Sequence, residues 1–425
     1  MPRYFVPIEH FGLAFVWLGV AAVGLVRATP SLAAGNYAAP AVVAVTHALT
    51  LGLVLTSIVG ALQQLAPVAM GVAARREVLA HAAFALLGVG TLAVVAGAWE
   101  WSPLLLGIGW LGIVSAGGLT WWNLLRHLRW APRAPQVAQA VRTGFGCLAA
   151  AFAVAFVRIG NTAGWWYVSQ QALLVAHVHL ALGGFATVVA MGIGSHVLPM
   201  FLVSHDVPRP LAAFAWRSTA AGAVVVAGGS LVGVFPLEAI GALAMAAGVA
   251  AWLAFTIQCF RHRARRTLDR ALVFVAFAHL FLAAACLTGL SLLWMNNTNL
   301  ATAYVALALL GWLSLFITGV ASRILPMLLL ARKVRTSVPA RPASAQFVPQ
   351  QLARAAAVAL VLGAAVLPPA IVSGREAFVR LGALIIVAAV ALLVVQHLWL
   401  ALPPAAASVS SVFTPSTAHS NADDS

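Results

Sequence analysis

The sequence has 425 residues, of which 63% are hydrophobic and only 8% are charged. Soluble globular proteins are about half apolar and about one quarter charged, so this composition excludes a soluble enzyme and a disordered chain. It indicates a polytopic membrane protein. The net charge of +15 arises from 24 basic and 9 acidic residues, and all but one of the basic residues are arginine. In so apolar a chain this excess is expected in cytoplasmic loops, and nucleic acid is not expected as a partner.

Long apolar segments predict an all-α fold with twelve transmembrane helices, because about 20 apolar residues cross a bilayer. The predicted spans cover residues 11–28, 41–70, 78–98, 103–125, 143–158, 170–203, 211–234, 236–259, 271–293, 300–330, 353–372 and 378–402. No cleavable signal precedes the first span, which is therefore expected to be retained. Residues 403–425 are rich in Ala, Ser and Thr and predict a disordered cytoplasmic tail.

Arginine predicts the orientation of the spans, because cytoplasmic loops carry an excess of Lys and Arg. The connections after spans 2, 4, 6, 8 and 10 contain most of the arginines, including Arg75, Arg126 and the run 261–270. The opposite connections contain few basic residues and include the polar stretch 296–299. Both termini are therefore predicted to be cytoplasmic, and residues 296–298 to lie outside.

An internal repeat relates the three longest spans, which are spans 2, 6 and 10. Two glycines and a proline recur in them at the same spacing, with offsets of 132 and then 127 residues. The matched sets are Gly52, Gly60 and Pro67; Gly184, Gly192 and Pro199; and Gly311, Gly319 and Pro326. The alternative is that Gly and Pro are simply common in membrane helices. We interpret the pattern as three pseudo-repeats of four spans, over residues 5–135, 136–265 and 266–402. Glycine at these positions would let a neighbouring helix or a flat cofactor approach the backbone.

With three pseudo-repeats of four spans and histidines near the outer ends of spans 2 and 6, the chain resembles subunit I of the haem–copper oxidase and nitric oxide reductase superfamily. The HxH motif of His177 and His179 is closest to that of NnrS-like haem and copper membrane proteins. The chain departs from the oxidases in span 10, where Tyr304 and Ala306 replace the haem-binding histidines. Span 7 contains no histidine for copper, and Ala181 stands where the oxidases carry a tyrosine. The resemblance thus implies a shared scaffold without a complete haem–copper centre for oxygen reduction.

Histidine is the usual protein ligand of haem iron, and an ionisable residue inside a membrane favours a functional role. His47 and His179 occupy the same repeat position, roughly 9 and 13 Å below the outer ends of their spans. We expect them to hold a haem b, with Ala48, Gly52, Gly183 and Gly184 leaving room for the porphyrin. His177 points about 200° away from His179 on an α-helix and would serve a second site, a metal or a propionate. The alternative for each is a hydrogen bond to a helix carbonyl.

A second set of histidines lies deeper or towards the cytoplasmic side. His81, His196 and His397 are near inner span ends, and His279 is near mid-membrane. These four are secondary candidates for a metal, with copper as an alternative to a second haem. Gln64, His196 and Arg323 occupy one repeat position and predict a polar ring in the inner half. The alternatives for this ring are a second haem or copper site and a proton-conducting path.

Together these features predict a haem-binding membrane protein that functions in electron transfer or in handling nitric oxide or copper. The rival hypothesis is a transporter or a cofactor-handling assembly protein without redox turnover. The favoured hypothesis implies the bacterial inner membrane as location, quinol or a cytochrome c as electron donor, and partner subunits.

Overall fold

The computed structural model describes residues 5–205, 207–264, 268, 270–335 and 350–401. These residues are almost entirely helical and contain no β-strand. Twelve of the helices, numbered α1 to α12, are long and apolar enough to span a membrane. Their spanning parts are Phe5–Ala33, Pro40–Met70, Glu77–Trp99, Pro103–Trp130, Pro135–Thr162, Gln170–Leu202, Arg209–Val232, Phe235–Arg261, Ala271–Ser291, Thr298–Leu329, Gln351–Ser373 and Glu376–Gln396.

The all-α, polytopic fold predicted from the sequence is confirmed, although several helices are longer than predicted. The largest difference is in α5, which begins at Pro135 rather than at residue 143. A proline in the first turn is compatible with a helix, because the first amides of a helix have no partner within the helix. The polar residues after it, such as Gln136 and Arg142, fell outside the apolar segment on which the prediction rested. The predicted tail, residues 403–425, lies outside the described residues.

The three long helices α2, α6 and α10 form the centre of the bundle. Between 56% and 72% of their most apolar stretch is buried, compared with 22–50% in the other nine spans. Each central helix contains a π-helical segment, Ala48–Leu55 in α2, His179–Thr187 in α6 and Leu307–Ser314 in α10. These segments begin within one residue of the predicted repeat offsets. The repeat therefore has a counterpart in the backbone conformation.

The recurring glycines are positions where another helix approaches the central helices. A Cβ atom on Gly52 would overlap the Trp17 ring of α1. At Gly184 it would lie 2.9 Å from Cys147 of α5, and at Gly311 it would lie 2.6 Å from the Phe281 Cβ of α9. Of the two alternatives raised by the sequence, the structure thus places a neighbouring helix at these positions.

The outer helices direct large apolar side chains away from the bundle. Val16, Val23, Leu104, Leu280 and Leu287 are each exposed by more than half of their surface. An exposed apolar surface of this extent belongs in contact with lipid. The protein is a multi-pass membrane protein in contact with the lipid bilayer.

The connections between consecutive helices alternate between the two ends of the bundle. The arginine-rich end carries the α2–α3, α4–α5, α6–α7, α8–α9 and α10–α11 connections. The opposite end carries the remaining connections, and we call it the cavity end.

Candidate functional site

A cavity of about 950 Å³ lies between the central helices near the cavity end. Its wall is mostly apolar and includes Val54, Leu182 and Leu310 from the three central helices. A volume of this size, with an apolar wall and a few polar groups, is typical of sites for small ligands and cofactors. All three histidines predicted from the sequence as cofactor ligands, His47, His177 and His179, line this cavity.

His47 of α2 and His177 of α6 face each other across part of the cavity. Their ring centres are 6.3 Å apart and their planes differ by 27°. Histidine nitrogens bind metals at about 2 Å, and each ring nitrogen lies about 1 Å from the centre of its ring. Two imidazoles on opposite sides of one metal ion therefore have ring centres about 6 Å apart. By the distance between ring centres alone, the pair is compatible with a shared metal ion.

Hydrogen bonds determine which ring nitrogen each histidine offers to a ligand. Nδ1 of His47 lies 2.8 Å from the Val43 carbonyl oxygen, and Nδ1 of His177 lies 3.1 Å from that of Ala151. A carbonyl oxygen only accepts, so both Nδ1 atoms carry the hydrogen and donate it. Nε2 then keeps its lone pair, which is the arrangement found in histidine ligands of metals.

His179 and Tyr304 form a second ring pair in the same cavity. Their ring centres are 6.2 Å apart with an interplanar angle of 24°, and Nδ1 of His179 donates to the Val175 carbonyl oxygen at 2.8 Å. Tyr304 occupies the repeat position of His177, just as His179 occupies that of His47. Each pair therefore joins equivalent positions on consecutive central helices. In the third repeat the corresponding positions are Ala306 and Val45, which carry no polar group.

The structure pairs the histidines differently from the sequence prediction. The repeat suggested that His47 and His179 share one cofactor, whereas the ring next to His47 is that of His177. The π-helical segments begin directly after His47 and at His179, so the residues that follow these histidines do not keep the 100° per residue of an α-helix.

The small residues expected to leave room for a porphyrin pack against other helices. A Cβ on Gly183 would lie 2.5 Å from the Met245 methyl group of α8, and Gly52 and Gly184 face α1 and α5. Ala48 is buried. The wall of the cavity is formed instead by neighbouring positions such as Leu49 and Leu51.

The polar residues around the histidines were not recognised as site residues from the sequence. Arg158 of α5 lines the cavity, interacts electrostatically with His47 and His177, and donates to the Gln170 carbonyl oxygen at 3.4 Å. The offset of 127 residues from His177 was the available signal for Tyr304.

The secondary histidines His81, His196 and His279 do not line this cavity. His279 is buried beside Trp252 and Trp312, and its Nε2 has no hydrogen-bond partner among the described residues. His81 donates from Nδ1 to the Glu9 carboxylate at 2.8 Å, and His196 is exposed. The side chain of His397 lies outside the described residues.

None of Gln64, His196 and Arg323, which the repeat predicts to form a polar ring, lines this cavity. Arg323 donates to the Phe201 carbonyl oxygen at 3.2 Å and lies over the Phe201 ring. Oε1 of Gln64 is buried without a partner in the described part of the chain.

Within the described residues, no group of three or more His, Cys, Asp or Glu side chains is arranged to hold a metal ion. No protein-family model matches the chain, and no curated protein sequence is significantly similar to it.

Proposed function

We propose that the chain is a haem-binding membrane protein and that the cavity holds haem b. The observation that carries this proposal is the facing pair of His47 and His177, whose ring separation and Nδ1 hydrogen bonds suit one iron ion. Porphyrin would supply four nitrogen ligands, so one or two histidines would complete the ligand set of haem iron. His179 is the alternative partner of His47, as the repeat predicts.

Other features of the cavity support a haem rather than a bare ion. The apolar wall would surround the macrocycle, and Arg158 would offer its positive charge to a propionate. A haem with two histidine ligands supplies one-electron transfer, because it leaves no open position for another ligand. We therefore propose electron transfer as the activity, with quinol or a cytochrome c as donor, in the bacterial inner membrane and with partner subunits.

The superfamily relationship to the haem–copper oxidases and NnrS-like proteins belongs to the same proposal. It is supported by the three central helices, the repeat of their π-helical segments and the histidines at matching positions. Handling of nitric oxide or copper and a transport or assembly role are the competing functions.

An absorption spectrum of the purified protein tests the proposal. We expect the reduced parent protein to show a low-spin spectrum of b type. This spectrum should be lost or converted to high spin in His47→Ala and also in either His177→Ala or His179→Ala. The control is His196→Ala, which removes an exposed histidine from the same helix as His177 and His179. The control should keep the parent spectrum.

Three other outcomes of these measurements would contradict the proposed ligands, the proposed cofactor or the proposed function. If the three cavity variants keep the parent haem content and line shape, the assignment of these ligands is wrong. If the protein carries no haem but retains copper in a His47-dependent manner, copper is the cofactor. If it binds neither, the transport or assembly hypothesis replaces the proposal.

A further inference from the structure

A second cavity, of about 280 Å³, lies at the arginine-rich end, on the opposite side of the bundle from the histidine cavity. It is lined by Arg75, Arg126, His127, Arg129 and Trp130, which we call the basic pocket. Arg75 belongs to the α2–α3 connection, and the other four belong to the 3₁₀ turn Leu125–Trp130 at the end of α4. All three arginines interact electrostatically with His127. No carboxylate lines the pocket or forms an ion pair with these arginines among the described residues.

The two backbone segments of the basic pocket are fixed to each other by Asn123. Its side-chain oxygen accepts from the Arg76 amide at 2.9 Å, and its side-chain nitrogen donates to the Arg76 carbonyl oxygen at 2.9 Å. The Arg75 amide donates to the Asn123 carbonyl oxygen at 3.3 Å. Asn123 is itself buried, and these bonds hold the backbone of Arg75 beside the 3₁₀ turn. The pocket is therefore a preorganised group of positive charges.

Exposed tryptophans around the basic pocket indicate the level of the lipid headgroups. Trp121, Trp122 and Trp130 are exposed by 44%, 59% and 69%. Tryptophan collects at the boundary between hydrocarbon and headgroups. The Arg126 guanidinium lies 3.6 Å from the centre of the Trp122 ring, and that of Arg129 lies 4.7 Å from the centre of the Trp130 ring. These contacts restrict both arginines at that depth.

We propose that the basic pocket binds the phosphate headgroup of an anionic phospholipid. Arginine pairs with phosphate through several N–H donors, and basic pockets beside transmembrane helices suit anionic headgroups. A free phosphate ion has the same chemistry, but a phosphate at headgroup depth is supplied by the bilayer itself. This inference does not depend on the proposed haem.

Native mass spectrometry with phosphatidylglycerol and phosphatidylcholine of equal chain length tests the proposal. We expect the protein to retain phosphatidylglycerol preferentially. The double variant Arg126→Gln, Arg129→Gln should bind phosphatidylglycerol at least about tenfold more weakly, because each basic residue near the membrane surface strengthens attraction to anionic lipid. The matched control Arg209→Gln, Arg261→Gln removes the same charge from exposed residues of the same end and should change binding less than twofold.

Three results would overturn the proposal. The first is equal retention of the two lipids, and the second is an equal loss in both double variants, which would indicate a diffuse effect of charge. The third is displacement of phosphatidylglycerol by millimolar inorganic phosphate, which would make the pocket a site for free anions.

A second test uses a variant that keeps every arginine, so that its result does not depend on whether the arginine variants fold. In vesicles, brominated phosphatidylglycerol should quench tryptophan fluorescence more than brominated phosphatidylcholine, and Trp130→Phe should reduce that difference. Trp294→Phe, at the cavity end, should leave it unchanged. Equal effects of the two variants would contradict the proposal.

Discussion

His177 differs from the other two cavity histidines in the origin of its hydrogen-bond acceptor. His47 and His179 donate to carbonyls four residues earlier in their own helices, whereas His177 donates to Ala151 of the neighbouring helix α5. The orientation of the His177 ring therefore depends on how α5 packs against α6. His47 donates to a carbonyl oxygen of its own helix, so the orientation of its ring is set within α2.

Free imidazole should replace the side chain of His47. In His47→Gly the cavity gains the volume of the lost ring, and it is already large enough for small molecules. We expect the low-spin spectrum, lost in this variant, to return when imidazole is added, as measured by absorption titration. His196→Gly is the control and should show no response. Retained haem that imidazole does not convert back would contradict the assignment of His47 as an iron ligand.

At the level of the helices, close packing of α1 against α2 depends on Gly52. Its replacement by alanine would place a methyl group into the Trp17 ring. Overpacking of this kind costs about 1–3 kcal/mol, so we expect Gly52→Ala to lower the midpoint of thermal unfolding in detergent. Gly12→Ala is the matched control, because a Cβ there meets no atom within 4 Å. Equal midpoints in the two variants would show that α1 moves away at no cost.

The helices were predictable from the sequence, but the directions of side chains inside the central helices were not. Apolar length alone located twelve spans, and the Gly and Pro spacing predicted repeat offsets that the starts of the π-helical segments match to within one residue. The π-helical conformation itself has no simple sequence signature. Small size alone led to the expectation that Gly52 and Gly184 leave room for a cofactor, whereas they face α1 and α5. Tyr304 stands where the oxidases carry a haem-binding histidine, and the repeat makes its position equivalent to that of His177; its partner in the cavity is His179.

On the scale of the whole molecule, the two cavities lie at opposite ends. The histidine cavity carries the charged side chains Arg158 and Glu238 near its polar rim, and the basic pocket carries three arginines. If arginine marks the cytoplasmic side, the histidine cavity faces outward and the basic pocket meets the inner leaflet, whose anionic lipids attract basic groups.

Cysteine labelling in intact cells tests this orientation. Asn296 is exposed at the cavity end, and its neighbour Asn297 is less suitable because its side chain caps α10 by accepting from the Leu300 amide at 3.0 Å. His262 is exposed at the arginine-rich end and serves as the matched position. The background lacks Cys147, Cys259 and Cys286, the three free cysteines of the chain. We expect a membrane-impermeant thiol reagent to label Asn296→Cys in intact cells and His262→Cys only after permeabilisation. The reverse pattern would place the histidine cavity on the cytoplasmic side, because both positions are fixed to opposite ends of the same bundle.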